Sequence, residues 1–289
     1  MHRKLCRIGL IITALLLAAC SRPFFYPDQH IRLTPDLIGL EYRDVSLVAE
    51  DGTQLHAWHI LPEGHPQGII LVLHGNAENI STHIHSVAWL AEEGYELLLL
   101  DYRGFGRSQG KPVLPEVFQD IAAAADWLSQ RSKSQQVPAY WLGQSIGASL
   151  SAYYLSQHTV EGLQAIVLDT PFASYRQLGR EKLSEFWLTW PLQYPLSWFI
   201  DNRFSPDKAT AGWPALPTLI FSSRDDRIIP AHHTRDLVNR FAVQQATQVT
   251  LVQTQGPHLS TYRYEKNRQL TQRFLTEQAQ SQRSKTAGN

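Results

Sequence analysis

The pentapeptide Gly-Gln-Ser-Ile-Gly at residues 143–147 decides the fold prediction for this chain. An apolar stretch, 140–142, comes directly before it, and the Ala- and Leu-rich stretch 146–157 follows with helical spacing. A serine flanked in this way lies on a sharp strand-to-helix turn, which places its hydroxyl at the N-terminus of a helix. Because the turn is tight, it needs small residues two positions before and after the serine, and the two glycines meet this need. The alternative interpretation is a glycine-rich turn whose serine only caps the helix.

Outward from this turn, apolar runs of strand length alternate with stretches of helical periodicity. The predicted strands are 45–49, 55–61, 68–73, 95–100, 139–143, 163–168, 218–222 and 249–253, and the predicted helices are 80–93, 116–131, 146–157, 232–241 and 262–278. Strands that alternate with helices form a mostly parallel sheet with helices on both faces. The turn residues 50–53 connect the first two strands as a hairpin, which predicts an antiparallel edge. The predicted fold class is α/β, with a mostly parallel eight-stranded sheet.

One segment interrupts this alternation. Residues 172–214 contain no clear strand and are rich in aromatic side chains. A loop of this length inside a compact domain is usually a functional lid or holds extra helices. We therefore predict an inserted helical cap at about 172–214, with Phe172, Trp187 and Trp190 as candidates for binding the substrate.

The histidines that follow Ser145 include one candidate for a catalytic base. A serine hydroxyl is a weak nucleophile near neutral pH and needs a base and an orienting acid. After a turn of this type, the acid and then the histidine follow the serine in the chain. His158, His232 and His233 lie at the ends of predicted helices, whereas His258 comes just past the last strand. A loop at that place can bring the imidazole of His258 to the serine; the alternative is a surface-loop histidine.

Three aspartates are candidates for the orienting acid. Asp225 and Asp226 follow the predicted strand 218–222, in the sequence Ser-Arg-Asp-Asp-Arg-Ile-Ile-Pro. Asp169 ends the preceding strand, a place from which some hydrolases take this acid. The alternative for Asp169 is a residue that fixes the cap, and the residues by themselves leave the choice open.

The sequence His-Gly-Asn-Ala at 74–77 follows another predicted strand. An oxyanion hole needs two backbone N–H groups aimed at the same point. We expect one from Ile146, the residue after the serine, and the other from Asn76. Gly75 allows close approach of the backbone, and His74 is expected to have a structural role within this loop.

The sequence Asp-Tyr-Arg-Gly-Phe-Gly-Arg-Ser at 101–108 also follows a predicted strand. We interpret it as a buried turn in which Asp101 and Arg103 pair and fix the loop. We prefer this structural role to contact with substrate.

Composition and charge exclude several classes of protein. The chain has 289 residues, of which 43% are hydrophobic, so it is not a disordered chain. Its 26 basic and 26 acidic residues balance, so no nucleic-acid-binding surface is expected. The two cysteines, Cys6 and Cys20, both lie near the N-terminus, which excludes a disulfide framework and a thiolate metal site.

Two pairs of histidines do not predict a metal site. His83 and His85 are two residues apart on a predicted helix and therefore do not share a face. The adjacent His232 and His233 are expected to point apart. We expect no metal ion and no cofactor.

The N-terminus explains both cysteines. Three basic residues precede an apolar run at 8–19, which is shorter than the roughly 20 residues that span a bilayer and fits a secretory signal sequence. The run ends in Leu-Ala-Ala-Cys, which resembles the bacterial lipobox. By that resemblance Cys20 is acylated and begins the mature chain, and Ser21, in place of an aspartate, favours the outer membrane. The alternative is an uncleaved N-terminal helix with a chance cysteine.

The chain therefore divides into four parts. We predict a lipoprotein signal peptide at 1–19, a lipid-attached tether at 20–40, one folded domain with its cap at 41–280, and a flexible tail at 281–289. The predicted location is the bacterial cell envelope, on the periplasmic face of the outer membrane. We expect a monomer that meets the membrane through its acylated cysteine.

Taken together, the motifs resemble the α/β-hydrolase superfamily, in particular the small ABHD-type serine hydrolases of bacteria. The resemblance spans about 42–274 and rests on HGNA at 74–77, DYRGFGRS at 101–108, GQSIG at 143–147, DDRIIP at 225–230 and GPH at 256–258. It implies the α/β-hydrolase fold. The family pattern of an aspartate followed by three residues and a proline selects Asp226, which completes a triad with Ser145 and His258. Two positions depart from the family: Ser223 often is glycine there, and Pro257 replaces a second glycine.

The resemblance also implies a reaction. It implies hydrolysis of carboxylic esters or thioesters through an acyl-enzyme, with a small-molecule ester or lipid as substrate and no metal. A serine at this turn argues against haloalkane dehalogenase and epoxide hydrolase chemistry. The alternatives are a peptidase or acyltransferase with the same triad, and a non-catalytic envelope lipoprotein that uses the fold for binding.

Overall fold

The structure is a computed structural model, and it describes residues 24–242 and 248–287. The predicted signal peptide (1–19) and the predicted acylation site, Cys20, lie outside these residues. Within the described ranges, no helix is both long enough and apolar enough to cross a membrane.

The described residues contain eight strands in one sheet, as the sequence predicts. They are β1 (Glu41–Val48), β2 (Gln54–Leu61), β3 (Gly68–Leu73), β4 (Tyr95–Asp101), β5 (Ala139–Gln144), β6 (Leu163–Asp169), β7 (Thr218–Ser223) and β8 (Val249–Thr254). Their order is β1-β2-β4-β3-β5-β6-β7-β8. Strand β2 is antiparallel to β1 and β4, and the other neighbouring pairs are parallel. The predicted hairpin edge is therefore confirmed.

Helices cover both faces of the sheet. They are α1 (Ile80–Val87), α2 (Trp89–Glu92), α3 (Val117–Gln135), α4 (Ile146–Leu155), α5 (Tyr175–Ser184), α6 (Gln193–Trp198), α7 (Ala231–Ala242) and α8 (Glu265–Ala287). The helix predicted at 80–93 is divided at Ala88. Residues 281–287, predicted as a flexible tail, belong to α8. No glycine or proline lies between Glu265 and Ala287, so no residue favours an earlier end.

The continuous apolar run of β3 contributes to two cores. Ile69, Leu71 and Leu73 pack with the apolar sides of α3 and α4. Ile70 and Val72 pack with α1 on the other side of the sheet. Successive side chains of a strand point to opposite faces, so a strand covered on both sides needs a run without polar residues.

The predicted cap lies between β6 and β7. It contains α5, α6 and three short 3-10 turns, which are Trp190–Leu192, Pro206–Lys208 and Thr210–Gly212. Hydrogen bonds join the two ends of the insertion: Ser174 Oγ donates to Asn202 Oδ1 at 2.7 Å. The N–H of Tyr175 donates to Ser205 Oγ at 3.0 Å. The two ends of the cap are thus hydrogen-bonded to each other at the place where the insertion leaves and rejoins the domain.

The chain before β1 lies on the domain, and we call residues 24–33 the N-terminal strap. The ring of Phe24 packs edge-on against Tyr175 of α5, with ring centroids 5.0 Å apart. Asn79, which caps α1, donates its Nδ2 to the backbone oxygen of Asp28 at 2.9 Å. The strap therefore connects the cap with the loop that precedes α1.

Candidate active site

Ser145 lies between β5 and α4 in a strained backbone conformation, with φ 55° and ψ −117°. Residues other than glycine rarely adopt this conformation, and a serine on a sharp strand-to-helix turn is an exception. The glycines of the motif leave room for the turn. A Cβ on Gly147 would collide with the backbone oxygen of Leu73, and a Cβ on Gly143 would lie 2.6 Å from Ser151 Oγ.

Three predicted side chains form a hydrogen-bonded row. Ser145 Oγ is 2.9 Å from His258 Nε2, and His258 Nδ1 is 2.7 Å from Asp226 Oδ2. In the arrangement that suits nucleophilic attack, the hydroxyl donates to Nε2 and Nδ1–H donates to the carboxylate. The side chain of Asp226 is fully buried, and its Oδ1 accepts the N–H groups of Ile228 at 2.8 Å and Ile229 at 2.9 Å. These bonds fix the direction of the carboxylate.

Asp225, one alternative for the acid, holds the histidine loop and not the imidazole. Its Oδ2 accepts the N–H of Gly256 at 2.8 Å. Ser223, which departs from the family pattern, adds a link: its hydroxyl donates to the carbonyl of Gly256 at 2.5 Å and accepts the N–H of Asp225 at 3.2 Å. The loops after β7 and β8 are thus joined two residues before His258.

Asp169, the other alternative, supports the site from behind. Its backbone oxygen accepts the N–H of Ser145 at 2.8 Å, and its Oδ1 accepts the hydroxyl of Thr261 at 2.7 Å. Complete burial raises the pKa of Asp169 to about 6, even though the Thr261 hydroxyl and the charge of His258 act in the opposite direction. Of the three aspartates, Asp226 is the one that forms the hydrogen bond with His258.

The loop after β3 lies directly against the serine. A Cβ on Gly75 would be 3.0 Å from His83 Cε1 and 3.4 Å from the Cβ of Ser145, so the loop approaches as closely as a glycine allows. Ile146 begins α4, and N–H groups in the first turn of a helix have no partner inside that helix. Of the two predicted oxyanion donors, Ile146 directly follows Ser145, and Asn76 follows Gly75 in the loop that lies against the serine.

The same loop is strained and is held by the strap. Ala77 and Glu78 have positive φ angles of 65° and 61°. The Oδ1 of Asn76 accepts the N–H of Tyr26 at 2.9 Å, and the N–H of Asp28 donates to the carbonyl of Glu78 at 3.2 Å. The backbone that carries Asn76, one of the predicted oxyanion donors, is thus restrained by the N-terminal strap.

Comparison with known proteins agrees with this fold. A family model described as "Serine aminopeptidase, S33" (Hydrolase_4) matches residues 64–209. The chain belongs to this family of α/β hydrolases. It is 28% identical to YfhR of Escherichia coli (strain K12) over 243 residues, which cover 83% of this chain and 80% of YfhR.

Two further likenesses are more distant. The chain is 26% identical to the lysophosphatidylserine lipase ABHD12 of Danio rerio over 215 residues, which cover 64% of this chain and 54% of that protein. Among solved structures, the esterase PF2001 of Pyrococcus furiosus matches with a TM-score of 0.72 at 22% identity. That match covers 88% of this chain and 98% of the esterase, and it shows a shared fold.

In this α/β hydrolase, the turn after β4 has the predicted structural role but a different pairing. Arg103 donates Nε to Asp120 Oδ1 at 2.8 Å and Nη1 to Asp51 Oδ2 at 2.7 Å. Asp101 instead accepts the N–H of Ile80 at 3.0 Å. The predicted pair of Asp101 and Arg103 is therefore wrong. The N-terminus of α1 offers Asp101 a free donor, and a carboxylate is stabilised there.

The three residues predicted to bind substrate are not brought together. Phe172 is 2% exposed, and its ring packs edge-on against Tyr175 in the core with centroids 4.8 Å apart. A binding role for Phe172 conflicts with this position, because a core ring has no free face. Trp187 and Trp190 lie on the outside of the cap and are 77% and 59% exposed.

His83 of the hydrolase borders the site, although the sequence did not single it out for that place. Its Nε2 is 3.3 Å from the carbonyl oxygen of Ala77, in the loop that carries Asn76. Burial lowers the pKa of His83, and the charge of His258 lowers it further. An imidazole whose neutral form is favoured therefore lies beside the loop that carries Asn76. In the sequence, His83 stands out only through its spacing from His85, and that spacing does not indicate a place beside Ser145.

A second cluster joins the cap of the hydrolase to α7, and we call Glu181, His232 and His233 the cap clamp. Glu181 Oε1 is 2.9 Å from His232 Nε2, and Oε2 is 3.0 Å from His233 Nε2. The two imidazole rings stack with centroids 4.6 Å apart, so the expectation that they point apart is wrong. At the first turn of α7 both rings reach one carboxylate. The three ligand atoms lie within 4.8 Å of one another and could hold a metal ion.

Proposed function

We propose that this α/β hydrolase cleaves carboxylic esters or thioesters through an acyl-enzyme intermediate on Ser145. The observation that carries the proposal is the hydrogen-bonded row from Ser145 through His258 to Asp226. A hydroxyl in contact with an imidazole, itself held by a buried carboxylate, is the arrangement that makes serine a nucleophile near neutral pH.

The proposed reaction has two halves. In the first, the proton of the Ser145 hydroxyl passes to His258 Nε2 while its oxygen bonds to the carbonyl carbon, and the N–H groups of Asn76 and Ile146 bind the resulting oxyanion. The intermediate then expels the alcohol or thiol, which takes the proton from His258. In the second half, water loses a proton to His258 as its oxygen bonds to the acyl carbon. The bond to Ser145 Oγ then breaks while His258 returns the proton to that oxygen, which releases the carboxylic acid and restores the enzyme.

Peptide hydrolysis is the second candidate, because the matching family model is described as a serine aminopeptidase. An aminopeptidase has to bind the α-ammonium group of its substrate, and a free carboxylate is the natural partner for that charge. The three aspartates nearest the row already have partners: Asp226 binds His258, Asp225 binds the Gly256 N–H, and Asp169 accepts the hydroxyl of Thr261. This favours an ester over a peptide as the substrate.

The proposal includes a place in the cell. We propose that an acylated Cys20 anchors the enzyme to the bacterial envelope, on the periplasmic face of the outer membrane. The support comes from the sequence: basic residues, the apolar run at 8–19, the lipobox-like Leu-Ala-Ala-Cys and Ser21 after it. Two or more acyl chains hold a protein firmly, whereas one chain alone gives marginal binding.

A fluorophosphonate probe, which reacts covalently with activated serines, tests the reaction. We expect the wild-type protein to be labelled and Ser145→Ala to be unlabelled. Ser134→Ala, which removes an exposed hydroxyl from α3, is the matched control and should be labelled like the wild type. Hydrolysis of nitrophenyl esters but not of peptide anilides would favour the ester; labelling that persists in Ser145→Ala would contradict the assignment.

A further inference from the structure

The cap presents a large apolar surface to solvent. Eight large apolar side chains within residues 186–199 are 46% or more exposed, whereas the rest of the described chain contributes four such side chains. We call this stretch the cap surface, and it includes Trp187, Trp190, Tyr194 and Trp198, which are 58–77% exposed. A soluble monomer rarely exposes so many large apolar groups in one place, and such a patch marks an interaction site.

The contacts that attach the cap to the domain use other residues. Tyr175 and Leu178 of α5 are 1% and 7% exposed and pack in the core. Lys182 Nζ donates to the carbonyl of Arg227 at 2.7 Å, next to the acid Asp226, and Glu181 belongs to the cap clamp. The cap surface is therefore not needed to hold the cap in place.

The composition of the cap surface suits the boundary between lipid and water. Trp and Tyr combine an apolar ring with a polar group, and they are enriched where acyl chains meet head groups. Arg180 lies beside the surface, with its guanidinium 5.3 Å from the ring centroid of Tyr194. A cation there attracts anionic head groups. The nearby Glu185 is paired with Lys182 at 2.6 Å.

The path of the N-terminal strap indicates what the cap surface binds. The ring of Phe24 packs on Tyr175. A Cβ on Gly179 would lie 3.4 Å from that ring and would collide with Ile200, which directly follows the cap surface. Four peptide units separate Phe24 from Cys20, and they span at most about 14 Å when extended. If Cys20 is acylated, the bilayer that holds its acyl chain therefore begins within about 14 Å of Phe24, which packs on the cap. This proximity favours a lipid bilayer over a second copy of the chain.

We propose that the cap surface docks on the bilayer that holds Cys20, with its Trp and Tyr rings in the head-group region. The inference rests on the acylation proposed above and adds which face of the protein meets the lipid. It also narrows the substrate class, because a cap seated on the membrane receives esters that reside in the bilayer. The expected substrate is thus a membrane lipid ester.

Quenching of Trp fluorescence by brominated lipids tests the docking. The acylated protein, isolated from membranes, is used as its Ser145→Ala variant, so that catalysis has no part in the result. It is reconstituted in phosphatidylethanolamine–phosphatidylglycerol vesicles with or without bromine on the acyl chains. Three of the eight Trp lie in the cap surface, whereas Trp58 and Trp141 are 0% exposed. We expect the brominated vesicles to reduce emission by about a third, since bromine quenches only rings near the lipid.

Two charge substitutions provide the control. Leu188→Glu places a charge within the cap surface and should remove most of the quenching. Leu37→Glu changes a side chain that is also exposed, at 69%, but lies outside the surface, and it should leave the quenching unchanged. Equal loss in both variants would contradict the proposal.

Further outcomes separate docking from anchoring. Equal emission in the two kinds of vesicle overturns the docking, provided that radiolabelled palmitate is present on Cys20 in the same sample. A chain without palmitate contradicts the anchor and, with it, the docking, while fluorophosphonate labelling of the wild type reports on catalysis separately. A dimer in sedimentation that Leu188→Glu dissociates also overturns the proposal, because the surface then binds a second copy.

Discussion

At the scale of single residues, two neighbouring aspartates have different tasks. Asp226 contacts the imidazole of His258, whereas Asp225 holds the backbone of Gly256. We expect Asp226→Asn to lower kcat for a nitrophenyl ester by roughly 10³- to 10⁴-fold, because the amide fixes the wrong tautomer of the histidine. Asp225→Asn keeps an acceptor for the Gly256 N–H and should lose less than about tenfold. Initial rates measure both, and equal losses would count against this division.

Asp169 provides a test of stability. Its pKa is raised by burial from 3.8 to about 6, so folding favours its neutral form. A carboxyl of this kind contributes stability below its ordinary pKa and loses that contribution as the pH rises through the raised value. Asp169→Asn is neutral at every pH and keeps an acceptor for Thr261. We expect it to raise the free energy of unfolding at pH 8 by up to about 3 kcal/mol, and to change it little at pH 4.

Urea unfolding at the two pH values measures this difference. The wild-type protein, unfolded in parallel at pH 4 and pH 8, is the reference for each comparison. A variant that is less stable than the wild type at pH 8, or equally stabilised at both pH values, would contradict this expectation. The charge of Asp169 would then not lower the free energy of unfolding.

Residues tied to a local pattern could be predicted, and residues tied to distant partners could not. The turn around Ser145 and the place of His258 after the last strand follow from local order in the chain. The choice of Asp226 needed the family pattern, because two adjacent aspartates look alike in sequence. The partners of Arg103 were missed because Asp120 belongs to α3, and no local pattern tells which carboxylate a folded chain brings near.

At the scale of elements, the cap clamp links α5 to the helix that follows the acid loop. Burial alone would raise the pKa of Glu181, but His233 and His232 outweigh it and the pKa is lowered. We therefore expect Glu181→Gln to reduce the free energy of unfolding by about 1–2 kcal/mol, since a charge-assisted hydrogen bond is lost. It should also speed proteolytic cleavage within the cap surface.

Glu185→Gln is the matched control for the clamp. Glu185 is on the same part of the chain but is exposed and paired with Lys182 at the surface. Ion pairs at the surface contribute little to the free energy of unfolding, so this variant should unfold like the wild type. Equal losses in urea unfolding and equal rates of proteolysis would refute a special role for the clamp.

The strands were predicted closely and the interior of the cap was not. A buried strand such as β3 has an unbroken apolar run, because helices cover both faces of the sheet and a polar side chain on either face would be buried. In the second half of the cap, Pro191 lies in the 3-10 turn at Trp190–Leu192 and Pro195 lies in α6, and both elements are at most two turns long. Such short elements have no sustained period, so the sequence did not indicate that Trp187 and Trp190 lie on the outside.

At the scale of the whole molecule, the anchor is the part that the sequence alone supports. We expect wild-type cells to incorporate radiolabelled palmitate into this protein and Cys20→Ala to incorporate none. The variant should also migrate as the longer precursor, because the lipobox no longer directs cleavage. Cys6→Ala, which changes the other cysteine of the chain, should behave like the wild type. Label that remains in Cys20→Ala would place the lipid elsewhere.

The closed ends of the cap separate two properties of this enzyme. Ser174 and Asn202 bind each other where the insertion leaves and rejoins the domain. The acid and the histidine both come later in the chain, and Ser145 comes earlier. The shorter stretch 186–199 contains neither the cap clamp nor the Lys182 contact with Arg227, so a lineage, or an engineer, that replaces it keeps the supports of the proposed catalytic groups. We expect such a replacement to alter which ester is accepted. On this proposal, substrate selectivity and the chemical step can change independently of each other.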